Sequence, residues 1–179
     1  MVDLSKKGLT KLSRDMFVNT TDVAHLDLRG NALTELSREV FVDLTQLIYL
    51  NLAHNQLRKI PQGVFDHLTI LYDLDLSFNQ IEKIEGLDKL VKLKDLSLHQ
   101  NKITVLENLE SLQELEVLSI GRNQLPSLED VSPPGLLRRL GSALLISISI
   151  LGPLALLATA PSALLPQHSR QSDERGSAL

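Results

Sequence analysis

Cysteine and tryptophan do not occur in this chain of 179 residues. Without cysteine there is no disulfide framework, no thiolate zinc centre and no cysteine nucleophile. Aromatics are scarce, with four Phe and two Tyr. A basic excess is also missing: 18 Lys and Arg stand against 22 Asp and Glu, a net charge of −4. That balance lacks the basic stripe of a general nucleic-acid binder, so no nucleic-acid partner is expected. The opening "MVDLSKKGL" has no apolar run of the secretory kind, which makes a cytoplasmic location the expectation. No glycine-rich phosphate loop and no HExxH is present, and the five histidines do not fall at metal-ligand spacing. No catalytic, cofactor-binding or metal-binding residues are therefore expected. The chain reads as non-enzymatic.

What the chain has is self-similarity. Asn31, Asn55, Asn79, Asn101 and Asn123 follow one another at intervals of 24, 24, 22 and 22 residues. Each closes the same phrase. Val23, Leu26, Leu28, Asn31 and Leu33 form one copy, and Leu71, Leu74, Leu76, Asn79 and Ile81 another. An earlier partial copy, Val2, Leu4 and Leu9, carries Lys7 at the asparagine position. The alternation Leu-x-Leu puts both leucines on one side of a short strand. Stacked turns then bury them in one continuous core. Each turn leaves backbone groups inside, at a cost of about 1–3 kcal/mol for each group left unpaired. A carboxamide offers both donors and an acceptor, so a ladder of asparagines can satisfy them.

The phrase L-x-x-L-x-L-x-x-N-x-L resembles the leucine-rich repeat. That resemblance implies an α/β, right-handed solenoid with short parallel strands on its concave face, here over residues 1–131. Phe17, Phe41 and Phe65, at steps of 24, resemble the phenylalanine of receptor-type repeats, which fills the convex side. From Asn79 the period drops to 22, and Ile81, Ile84, Leu87, Leu90 and Leu93 advance in threes. That step suits a short 3₁₀ or helical return segment. This half resembles the repeats of the phosphatase regulator SDS-twenty-two and of axonemal dynein light chain one.

After Val131 the pattern breaks at "SPPG". Residues 132–139 read as a linker, 140–166 as an apolar segment and 167–179 as a disordered polar tail. Leu140 to Pro166 is an uncharged run longer than the roughly 20 residues that span a bilayer. Three readings of it stay open: a membrane anchor, a non-native run from a truncated or mis-spliced transcript, and a helical cap over the last coil.

The residues flanking the strand leucines point to the concave face. Asp27, Arg29, Tyr49, Asn51, Asp73, Asp75, Asp95 and His99 are the candidate partner-binding residues there. Asp73, Asp75 and Asp95 are expected within about 5–10 Å of one another, given strand spacing near 4.8 Å. An acidic strip beside Tyr49 suits a protein partner that presents a basic segment. "LDLSFNQIEKIEGLDKLVKLKDLSLHQNKI" and "LEVLSIGRNQLPSLEDV", spanning Leu74–Val131, resemble the repeat domain of the dynein regulatory complex subunit three family. That resemblance implies a cytoskeletal docking role in the axoneme of a cilium or flagellum. Two alternatives accompany it: a tail-anchored or receptor-like membrane recognition protein, and a phosphatase regulatory subunit.

Overall fold

Among the described residues each lap is extended over at most three residues, the first leucine of Leu-x-Leu and the residue on either side of it, because the period-two pattern of a strand goes no further. The computed structural model describes residues 1–125 and 145–147. Its strands are β1 (Val2–Asp3), β2 (His25–Asp27), β3 (Tyr49–Asn51), β4 (Asp73–Asp75), β5 (Asp95–Ser97), β6 (Val117–Ser119) and β7 (Leu145–Ser147). They form one sheet in sequence order, all parallel. The register keeps the leucine column in line: Leu26 faces Leu50, then Leu74, Leu96 and Leu118. The fold is the parallel-strand solenoid expected from the repeat.

Leu-x-Leu supplies the core. Leu26, Leu28, Leu50, Leu52, Leu74 and Leu76 are fully buried. Phe17, Phe41 and Phe65 form a second column on the far side of that core, with ring centroids 6.2 and 6.0 Å apart. Where the lap shortens, Leu87 and Leu90, then Leu109 and Leu112, close the coil in place of phenylalanine. The expected helical return segments there are not helices. Leu90 donates to the Leu87 carbonyl and Leu93 to that of Leu90, and Leu112 and Leu115 repeat the pattern. These are three-residue-step bonds, as the spacing requires, but isolated ones, so each lap returns by successive turns. A 3₁₀ helix does occur at Arg14–Phe17, started by Ser13, whose Oγ accepts from Asp15 N at 3.3 Å.

Beyond residue 125 the described chain is β7, which adds a strand beside β6. The linker, the rest of the apolar segment and the polar tail lie outside the described residues. Among the described residues, no helix is long and apolar enough to cross a membrane.

Candidate binding face of the solenoid

An asparagine ladder ties the turn after each strand to the coil before it. The Asn79 carboxamide accepts from Leu57 N at 3.0 Å and donates to the carbonyls of Leu52 and Leu76 at 3.0 and 3.1 Å. Asn55 accepts from Leu33 N and donates to Leu28 and Leu52. Asn101 and Asn123 repeat the arrangement one and two coils on. Asn31 does more, accepting from both Lys7 and Leu9 N. Each amide thus joins its own turn to the preceding coil, which spacing alone did not disclose.

The residue before each of these asparagines has positive φ: Gly30, His54, Phe78, Gln100 and Arg122 lie between 54° and 70°. The tight bend imposes the left-handed conformation whatever the side chain. At Phe78 that conformation is unusual for a bulky residue.

Four of the eight proposed face residues come together. Tyr49, Asp73, Asp75 and Asp95 line a hollow of about 270 Å³ with Ser97, Val117 and Ser119. Tyr49 is in register with Asp73, and Asp73 with Asp95. Asp73 is half-buried and its carboxyl is raised to about 6, first by desolvation, then by the charges of Asp95 and Asp75. Burial likewise raises the Tyr49 phenol.

The other four are placed differently. Asn51 is 4% exposed and its amide is already engaged. It donates to Tyr49 Oη at 2.9 Å and accepts from Ala53 N at 2.9 Å. It therefore supports Tyr49 and is not itself open to a partner, a correction to the period-two reading. Asp27 turns its carboxylate onto Arg29 N at 2.9 Å, and the Arg29 guanidinium lies 4.0 Å away. Asp75 makes the same bond to Ser77 N, and Asp3 to Ser5 N. An Asp or Asn between the two strand leucines thus caps the backbone two residues on, a local role. His99 leaves the hollow for an aromatic stack: its ring centroid is 5.6 Å from Phe78, which stacks on His54 at 4.1 Å.

Spacing missed two residues beside the hollow. Ile48 and Tyr72, each at the entrance to a strand, are 42% and 43% exposed. The signal for Tyr72 was present in the composition. Three of the six Phe and Tyr form the buried column, and the other three, Tyr49, Tyr72 and Phe78, all stand on β3, β4 or the turns beside them.

These coils define a class, and the chain belongs to the leucine-rich-repeat family. The family model for the leucine rich repeat matches residues 1–57 and 49–103. The model for two copies of the repeat matches residues 91–133. Among solved structures, the leucine-rich-repeat domain of APL1B superposes with a TM-score of 0.67 at 24% identity, covering 70% of this chain and 37% of that one. The TLR13–ssRNA13 complex matches with a TM-score of 0.67 at 25% identity, over 70% of this chain and 18% of that one. The LRIM1/APL1C complex gives 0.66 at 25%, over 70% and 24%. The chain thus spans well under half the length of each neighbour. No match was found among curated protein sequences.

Proposed function

We propose that this protein is a non-enzymatic binding scaffold whose concave face receives a protein partner at the Tyr49–Asp73–Asp95 hollow. The observation that carries this reading is the alignment of Asp73 with Asp95 beneath Tyr49, with Asp75 on the same wall. Three carboxylates in one shallow hollow repel one another, and a lysine or arginine entering from a partner relieves that repulsion. The neighbour LRIM1/APL1C is itself a complex of two proteins, which supports protein partnership for a solenoid of this form. The neighbour TLR13 is recorded with single-stranded RNA. An acidic hollow disfavours a phosphate backbone, so the RNA reading is not carried over. Quantitative affinity capture from cell extract, with the full chain and an Asp73/Asp75/Asp95→Asn variant, tests the hollow. Loss of one or more partners in the variant is the expected result. The same partners at the same strength overturn it.

For location, we propose a cytoplasmic, cytoskeletal scaffold, with the resemblance of Leu74–Val131 to the dynein regulatory complex family as its support. Phosphatase regulation rests on the likeness of the 22-residue laps to the SDS-twenty-two repeats and uses the same face. A membrane-anchored recognition protein is favoured by a different observation, the uncharged run Leu140–Pro166. Carbonate extraction separates these readings. Pelleting that survives carbonate and disappears on deletion of 140–166 establishes the anchor, and a carbonate-soluble full chain removes it.

A further inference from the structure

The hollow has an apolar shoulder. Ile48 precedes Tyr49, and Tyr72 precedes Asp73, so the residue entering each strand stands beside the residue lining the hollow. The Ile48 carbonyl accepts from Tyr72 N at 2.9 Å and from Asp73 N at 3.1 Å, which brings the two entrances side by side. Both residues are more than two-fifths exposed, and Ile70, two residues before Tyr72, is 41% exposed. On the next two coils the entrance positions change character, to Lys94 and Glu116, which form an ion pair. The apolar shoulder therefore has an edge on the β5 side. Lys94 Nζ also lies 5.6 Å from the centroid of the Tyr72 ring, so this ring already holds a cation against one face.

We infer that the ligand is a peptide segment of another protein that places a large apolar side chain on Ile48 and Tyr72 and a lysine or arginine in the adjoining hollow. This deepens the proposed function and rests on it. The charges of the hollow select the basic residue: among the described residues it is lined by three carboxylates and no cation. The shoulder selects the apolar one, since adjacent exposed Ile and Tyr recover most by desolvation. Consecutive residues of a strand are about 3.3 Å apart along it. The two ligand side chains therefore fall within about four positions of each other in an extended or helical segment.

The test uses a random twelve-residue peptide library displayed on phage and panned on the full chain. The expected result is enrichment of peptides that carry Lys or Arg within about four positions of Leu, Ile, Met or an aromatic. Affinity of the enriched peptide, measured by fluorescence anisotropy, should fall about tenfold or more for Ile48→Ser/Tyr72→Ala and separately for Asp73→Asn/Asp95→Asn. Urea midpoints of the variants no lower than that of wild type keep a folding defect out of the comparison. Basic peptides without an apolar residue, bound equally by the Ile48/Tyr72 variant, overturn the shoulder and leave the hollow standing. Peptides whose binding ignores the Asp73/Asp95 variant overturn the hollow, and the inference with it. Enrichment of acidic peptides, or no enrichment, also overturns it.

Discussion

A single asparagine side chain in this molecule does work that would otherwise need water. Asn79 sits between two coils and pairs one donor and two acceptors that burial has removed from solvent. Its replacement by alanine strands all three, and each costs about 1–3 kcal/mol. Asn79→Ala is expected to destabilise the solenoid by about 3 kcal/mol or more, read as a lower urea midpoint. Gly86 is the second position where one residue decides local structure. Its φ is +72°, and an added Cβ would lie 3.0 Å from the Pro61 carbonyl oxygen and 3.1 Å from Ile60 Cγ2. The left-handed conformation costs a non-glycine residue about 1–2 kcal/mol before any clash. Gly86→Ala should therefore cost about 2 kcal/mol or more in thermal or urea unfolding, whereas Gly8→Ala, with nothing within 4 Å, should cost only the conformational share.

At the scale of the element, each coil depends on the two beside it. The strands are too short to stand alone, and three residues bury one leucine face only when a neighbour covers it. The phenylalanine column shows the same dependence on the convex side. Phe41 is fully buried between Phe17 and Phe65. Phe41→Ala removes the middle ring and should cost about 3–5 kcal/mol. Its unfolding midpoint should fall well below that of an exposed substitution such as Val105→Ala. The element scale is also where sequence and structure agree best. Leu-x-Leu and the returning asparagine announced strand position, register and core column. They did not announce that the short laps return by separate turns, because three-residue spacing is shared by a 3₁₀ helix and by a chain of turns. The aspartates between the strand leucines were legible as polar and outward. Their hydrogen bonds to the backbone two residues on were not, since an Asx turn leaves no periodicity of its own.

For the whole molecule, stacking decides which charges meet. Asp73 and Asp95 are 22 residues apart in sequence and side by side in space. The Asp73 carboxyl is raised to about 6 from the ordinary aspartate value of 3.8. Between those two values the folded chain binds a proton that the unfolded chain has released. This group's share of stability is therefore full below about pH 4 and is lost as pH rises through 6. Asp73→Asn removes that dependence. The variant should be more stable than wild type at pH 7, by about 1 kcal/mol once solvent screening of a half-exposed group is allowed for, and equal to it near pH 4. Urea titrations of both proteins from pH 4 to 8 check this; a stability difference independent of pH contradicts it. The same titration bears on the proposed function, because protonation of Asp73 weakens the hollow for a basic partner. Affinity for such a partner should fall as pH drops from 7 to 5.

The amino-acid sequence by itself determined that this chain stacks. Its period, the aliphatic positions within the period and the carboxamide at each bend admit one arrangement, because only neighbouring coils can bury that pattern. The tertiary structure decided what the stack presents. Lateral register set Asp73 against Asp95, local side-chain hydrogen bonds held Asn51 on Tyr49 and turned Asp27 and Asp75 onto their own backbones, and stacking placed Ile48 beside Tyr72. The first pair and the last depend on distances between residues a full lap apart, about which periodicity within one lap carries no information, and the local bonds leave no periodicity of their own.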